Sequence, residues 1–249
     1  MVDYPQKATN WILDLIFPKR CLGCGKFTYR NDFYYICGRC FKEIGLKNVF
    51  ECIGCKRQTQ YGFTCLSCKK DNPVDQLLAA LDLSDPLIDE VLKAYKYKFI
   101  SDLSRPLSVI AKKFIKKLLS KRVNIFQDNP LVIPVPLHKR RLNWRGFNQS
   151  QLLAKSIAGS FLASYAGNAL IRISHSKNQA DTKTREDRFK NIKGQFAVSN
   201  KEIIKNRTII LVDDICTSGA TLNECARVLK NPPAGGGSSK VIALVIARG

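Results

Sequence analysis

The chain has 249 residues, enough for one large domain or for a small and a medium one. Its 41 Lys and Arg against 20 Asp and Glu set a formal net charge of +21, which points to a polyanionic partner: nucleic acid, nucleotide or polyphosphate. No run of about eighteen apolar residues occurs, so no membrane span is expected. The start is mixed in charge, with Asp14 breaking Trp11-Ile12-Leu13, and does not read as a signal peptide. A cytoplasmic location is expected.

Residues 8–17 read as a short amphipathic helix stopped by Pro18 and packed on the body of the protein. Next come four C-x-x-C pairs: Cys21/Cys24, Cys37/Cys40, Cys52/Cys55 and Cys65/Cys68. In a reducing compartment this arrangement argues for metal, not disulfides. A C-x-x-C knuckle puts two thiolates on one tight turn, and two knuckles complete a tetrahedral Cys₄ zinc site. The gaps between knuckles each hold a small hairpin. Two ribbons in sequence are therefore expected, Cys21/Cys24/Cys37/Cys40 and Cys52/Cys55/Cys65/Cys68, while the spacing also allows an interleaved cross-brace. So small a segment has little core of its own, and zinc contributes about 10–16 kcal/mol per structural site. Each site is closed and has no nearby His, which argues against zinc catalysis.

Residues 1–80 hold twelve Lys and Arg against seven Asp and Glu; the remainder holds 29 against 13. Eight thiolates with two Zn²⁺ would bring the first region near neutral, so the basic surface belongs to the second. A boundary is expected near Asn72-Pro73. Residues 86–97 and 103–122 read as helices. The second carries an apolar stripe, Leu103, Leu107, Ile110, Phe114 and Leu118, with Lys112, Lys113, Lys116, Lys117 and Lys121 mostly away from it. That basic face reads first as solvated surface and second as a DNA contact.

Residues 131–135 (LVIPV) read as a buried strand ended by prolines. The following segment, His138 to Gln149, is expected to be a loop. His138, Lys139, Arg140 and Arg145, with Gly146 as a hinge, suit a pyrophosphate. Trp144 and Phe147 among them would suit stacking on bases. Farther on, residues 178–196 form a basic, weakly apolar stretch expected to act as a hood.

Thr208 to Val212 have the composition of a strand buried on both faces. Asp213 and Asp214 are placed just past its end. Then Thr217, Ser218, Gly219, Ala220 and Thr221 lead into a helix beginning near Thr221. Backbone N–H groups and hydroxyls there can converge on a phosphate dianion at a helix N-terminus. The two carboxylates lie about a ribose length away, placed to accept from ribose hydroxyls or to help hold hydrated Mg²⁺. Thr221-x-x-Glu224 also reads as a capping box. Residues 231–239 read as a flexible connection to a last strand. Cys225 reads as a small core residue.

Val212 to Thr221 resembles the phosphoribosyl-pyrophosphate (PRPP) motif of type I phosphoribosyltransferases, a strand followed by D-D and T-S/T-G-x-T. The pattern P-V-P-L-H-x₂-R-x₃-R-G-F-N-Q, Pro134 to Gln149, resembles the signature of ComF-type competence proteins. Phe17 to Cys21, the block from Asn178-Gln179 through Arg185, Arg188 and Asn191 to Phe196, and Val241 to Arg248 extend the likeness over nearly the whole chain. One departure is Thr182, near where the family has a leucine. The resemblance implies an α/β fold: a type I phosphoribosyltransferase-like, mostly parallel central sheet flanked by helices, after a small double zinc-ribbon domain. It implies a helix and ribbons over 1–72 and the transferase-like domain over 73–249. It further implies Mg²⁺-PRPP or a related phosphosugar as ligand, with the ribose on Asp213 and Asp214, the catalytic pair, and the 5′-phosphate on Thr217–Thr221. Two activities follow: phosphoribosyl transfer to an acceptor that no motif names, or non-catalytic handling of single-stranded DNA with a PRPP-sensing pocket. In the second, the ribbons dock a protein partner of the DNA-uptake machinery.

Overall fold

A computed structural model describes residues 19–28, 33, 35–174, 185–233 and 235–249. The expected N-terminal helix at 8–17 and the stretch 178–184, with Thr182, lie outside the described residues. The chain divides into two compact units, Met1–Gly45 and Leu46–Gly249. The expected boundary near Asn72-Pro73 therefore does not coincide with the division. Cys52 to Cys68 belong to the larger unit, for reasons visible in their contacts below.

In the smaller unit, an antiparallel bridge joins Arg20 to Phe27 and closes the first knuckle. The second knuckle opens a short helix, Gly38–Glu43, whose N-cap Cys37 accepts from the Cys40 N–H.

The larger unit is built on a parallel sheet. Its strands are β1 (Gln76–Asp82), β2 (Leu131–Pro134), β3 (Ser164–Tyr165), β6 (Thr208–Cys216) and β7 (Lys240–Arg248), in the order β1-β7-β6-β2-β3. Between β3 and β6 the chain makes an antiparallel pair, β4 (Leu170–Arg172) and β5 (Phe196–Val198). The helices are α1 (Pro86–Tyr97), α2 (Ser104–Ser120), α3 (Lys139–Arg145), α4 (Gln149–Ser160), α5 (Arg185–Ile192) and α6 (Ala220–Lys230). The aliphatic runs Ile209–Val212 and Val241–Ala247 are buried along their whole length, as central parallel strands covered on both faces must be. The helix α2 buries Leu107, Ile110, Phe114 and Leu118, with Leu103 just ahead of it, the stripe its sequence sets out. It packs with α4 over the sheet. On the other face Leu222, Cys225, Ala226 and Leu229 of α6 join Ile209, Leu211, Ala243 and Val245, together with Ile53 from the second knuckle pair.

The chain leaves β6 through α6 toward β7 and leaves β2 through α4 toward β3, in opposite directions. Such a reversal between neighbouring parallel strands opens a crevice at their C-terminal ends. A cavity lies there.

Four local expectations are corrected. First, β6 runs on through both aspartates to Cys216, because β7 is long enough to pair Asp213 with Val245 and Cys216 with Arg248. Second, the 138–149 segment is not a loop: α3 is held by His138, whose Nδ1 accepts from the Arg140 N–H at 3.2 Å, and ends at Gly146 in the left-handed region. Third, Glu224 is no capping-box partner. Its carboxylate is buried and accepts from the Gly194 N–H at 2.7 Å and from Arg227, tying the β5 side to α6, while Gly219 caps the helix without a side chain. The 231–239 connection is also pinned: Ser238 N donates to Leu229 O and Asn206 N to Gly237 O.

Candidate functional site

The crevice is a cavity of about 410 Å³ at the C-terminal ends of β2 and β6. Asp213, Asp214, Thr217 and Thr221 form one wall, and Arg141 and Arg145 of α3 reach it from another side. Lys96 from the end of α1, Ser150 from the start of α4 and Arg172 from β4 also line it.

The two aspartates are held differently. The Ser150 hydroxyl donates to Asp213 Oδ1 at 2.7 Å, and the Asp214 N–H donates to the same oxygen at 2.9 Å. Burial, then the neighbouring Asp214 charge, pushes the Asp213 carboxyl up to about 7. Asp214 is buried and makes an ion pair with Lys96 Nζ at 2.9 Å. Burial alone would pull the Lys96 ammonium down, but Asp214 and Asp213 outweigh it and its proton is held more tightly than usual.

The basic side is organised by Gln149. Its Oε1 accepts from Arg145 Nη1 at 2.7 Å, its Nε2 donates to the Tyr95 carbonyl at 3.2 Å, and its own carbonyl accepts from the Tyr95 hydroxyl at 3.1 Å. One residue thus fixes both Arg145 and the end of the helix that carries Lys96. Asn148 caps α4 by accepting from Ser150 N–H and anchors it by donating to the Val135 carbonyl.

Gly219, at φ 79°, makes the turn from β6 into α6 possible twice over. It takes a left-handed conformation, and a Cβ there would lie 2.9 Å from Ile53 Cγ1. The helix that follows leaves its first N–H groups without carbonyls of their own. From α5, Arg188 Nη1 approaches the Thr217 hydroxyl at 3.5 Å.

Of the residues expected to bind pyrophosphate, Arg145 lines the cavity, His138 caps α3, and Lys139 and Arg140 are exposed and do not line it. Because the segment is helical, residues four apart share a face, and Arg141 joins Arg145 instead. The R-x₃-R within the Pro134–Gln149 pattern already carried that spacing. Lys96, Ser150 and Arg172 escaped sequence reading: Lys96 and Arg172 come from elements with no motif of their own, and Ser150 falls one residue past the Pro134–Gln149 pattern. Arg172 is held by Gln195 Oε1, at 3.2 and 2.6 Å, and lies over the Phe196 ring. Of the two aromatic residues, Phe147 packs on Tyr95, whereas Trp144 meets Phe99 edge-on yet stays 62% exposed.

The cysteines form two groups of four, Cys21/Cys24/Cys37/Cys40 and Cys52/Cys55/Cys65/Cys68, each with its sulfurs within 4.8 Å of one another. The grouping is sequential, as first expected, and not cross-braced. Sulfur pairs stand 3.7 Å apart at Cys24–Cys37 and 3.8 Å at Cys55–Cys65, against about 3.8 Å for the edge of a tetrahedron with 2.3 Å Zn–S bonds. Backbone N–H groups point at the sulfurs, Cys37 N at Cys21 and Gly54 N at Cys52. Both groups fit structural zinc.

Residues 149–248 match the family model of the phosphoribosyl transferase domain, so the α/β unit with its crevice is of that class. Over the greater part of its length the chain is also similar to competence proteins. It is 28% identical over 221 residues to competence protein F of Haemophilus influenzae, covering 86% of this chain and 92% of that protein. It is 27% identical over 240 residues to competence protein ComFC of Streptococcus pneumoniae, covering 91% and 99%. It is 26% identical over 210 residues to the DNA utilization protein YhgH of Escherichia coli K12, covering 78% and 90%. The chain is thus similar to competence proteins over most of its length and combines a phosphoribosyl transferase domain with two Cys₄ clusters. No described helix is long and apolar enough to cross a membrane.

Proposed function

We propose that the crevice binds Mg²⁺-PRPP and that the protein transfers the 5-phosphoribosyl group to a nitrogen acceptor with release of pyrophosphate. The observation that carries this reading is the meeting of three chemistries in one cavity: the phosphate turn, the adjoining aspartates and the facing arginines. The 5′-phosphate lies on Thr217–Thr221 at the start of α6. Asp213 and Asp214 accept from the ribose hydroxyls, and Arg141 and Arg145 take the pyrophosphate oxygens, with His138, Lys139 and Arg140 setting the charge around them. When bound, Mg²⁺ neutralises the leaving pyrophosphate. As the C1–O bond breaks, positive charge grows on the ribose, and the two carboxylates beneath it stabilise that charge.

Calorimetric titration with Mg²⁺-PRPP tests the reading. Saturable binding, competed by ribose 5-phosphate and by pyrophosphate, is expected; a folded, zinc-loaded chain that takes up none would sink it.

A second reading rests on Trp144, exposed on a helix with Lys139, Arg140, Arg141 and Arg145. A base-stacking residue among phosphate-binding cations suits single-stranded nucleic acid, in keeping with relatives whose names refer to competence and DNA utilization. If about four phosphates are neutralised, affinity for oligo-dT falls about 50-fold between 50 and 200 mM salt. Trp144→Ala then weakens binding without changing that slope. A flat salt response in fluorescence anisotropy would dismiss this reading. The first cysteine cluster is the element we assign to a protein partner in DNA uptake.

A further inference from the structure

The second cysteine cluster reaches the phosphate turn by two routes, one from each knuckle. From the first knuckle, Ile53 lies between the ligands Cys52 and Cys55, is fully buried, and packs under Gly219 where no side chain would fit. Beside it the buried Arg248, near the end of β7, donates from Nη2 to the Cys52 and Ile53 carbonyls at 3.3 and 3.2 Å. The same guanidinium donates from Nη1 to Cys216 Sγ at 3.2 Å and stands 3.4 Å from the Glu51 carboxylate. Cys216 is the residue that enters the turn. From the second knuckle, Asn72 Nδ2 donates to the Cys68 carbonyl at 2.9 Å, and Asn72 Oδ1 accepts from Asn223 Nδ2 at 2.9 Å. Asn223 is in the first turn of α6; its N–H donates to Gly219 O and its Oδ1 accepts from Val74 N. Residues 217–219 are thus suspended between Cys216 and Asn223, both fastened to the cysteine cluster.

A knuckle that served only to fold a separate ribbon would need none of these contacts. A buried arginine spanning two carbonyls, a carboxylate and a sulfur is costly unless geometry is to be fixed. We infer that the Cys52/Cys55/Cys65/Cys68 cluster positions the phosphate turn, with Ile53, Arg248 and Asn72 as positioning residues and the 5′-phosphate of a phosphosugar as the ligand whose affinity depends on them. The affinity part rests on the function proposed above; the ordering of the turn does not. It follows that removing residues 1–70 strips the support from under Gly219 and costs phosphosugar binding.

The test uses the full zinc-loaded chain and Ile53→Ala, which keeps all eight ligands. Ile53→Ala is expected to retain its full zinc content, bind ribose 5-phosphate at least tenfold more weakly, and hold Mg²⁺-pyrophosphate within twofold of wild type. Ile53→Val restores ribose 5-phosphate binding. Hydrogen exchange of amides 216–223 quickens in Ile53→Ala and in Cys55→Ser. A lowered melting temperature with unchanged ribose 5-phosphate affinity and unchanged exchange would overturn the inference, as would equal loss of both ligands. Should wild type bind neither ligand, the proposed function falls, and the exchange measurement alone decides whether the cluster orders the turn.

Discussion

Asp213→Asn/Asp214→Asn is expected to lose at least about a hundredfold in Mg²⁺-PRPP affinity. A hydrogen bond to a charged group contributes about 1.5–3 kcal/mol, and two carboxylates facing the ribose contribute it twice. An amide at position 213 would keep the oxygen that accepts from Ser150 and from the residue 214 backbone N–H, so the floor keeps its shape. Lys96 loses its partner, and the variant melts lower than wild type while staying folded. The single variant Asp213→Asn gives the prediction its pH signature. Burial and the Asp214 charge raise the Asp213 carboxyl to about 7, so below that pH it is a neutral acid, a weaker acceptor for a ribose hydroxyl than the carboxylate. Each pH unit below 7 costs wild type up to about 1.4 kcal/mol, roughly tenfold in affinity. The 5′-phosphate titrates in the same range, near 6, but equally in both proteins, so the difference between wild type and Asp213→Asn isolates the side chain. Stability moves the other way. A carboxyl whose folded-state pKa is raised contributes stability that is full below the unfolded value, near 4, and lost as pH rises through 7. For this group the ligand-free protein is most stable in acid, where it binds worst. Calorimetry at pH 5, 6, 7 and 8 reads both trends, and an affinity difference that does not change with pH would refute the assignment.

The parts of the site legible in the sequence were those in which one short stretch carries all its own chemistry. A C-x-x-C knuckle needs only its own turn, so all eight ligands could be named from spacing, while their sequential grouping came from the fold. The run Asp213 to Thr221 likewise holds acids and phosphate turn in one strand–turn–helix. What sequence hid was assembly across distance. Lys96 reaches Asp214 only because Tyr95 and Gln149 fasten α1 to α4 across 54 residues of sequence. Arg172 enters the crevice only because Gln195, 23 residues on, turns it there. That the chain divides elsewhere than at the boundary expected near Asn72-Pro73 has the same origin. Composition marks Asn72-Pro73 as a break, yet the buried Asn72 is bonded to α6 and Asp75 to the sheet: Asp75 accepts from Val241 N at 2.8 Å and pairs with Lys230 at 2.6 Å. Sequence distinguishes the two ribbons by number alone; contacts make one part of the α/β unit. The helix at 139–145 was missed because clustered positive charge suggested a loop, whereas a histidine cap and a terminal left-handed glycine suffice to hold two turns.

Lys96→Met is the other substitution expected to have a large effect. In the crevice Lys96 is paired with Asp214, and its side chain is only 23% exposed while that of Asp214 is 7% exposed. Removing one member of a buried pair typically costs 3–5 kcal/mol, because the charge left behind has lost both water and partner. The residual exposure of Lys96 places this case at the lower end of that range, about 3 kcal/mol at pH 8. At pH 5 the cost is smaller, because Asp213 takes up a proton and relieves the excess negative charge. Lys96→Met/Asp214→Asn removes the orphaned charge as well and is expected to recover most of the loss, since the amide keeps the shape and methionine the stem. Urea denaturation of the four proteins in that cycle gives the coupling energy directly; a coupling below about 0.5 kcal/mol would mean that water, not Lys96, neutralises Asp214. A large coupling means that the crevice carries its own counter-ion until a ligand's cation displaces it, and Mg²⁺-PRPP should then raise the melting temperature of Lys96→Met by more than it raises that of wild type.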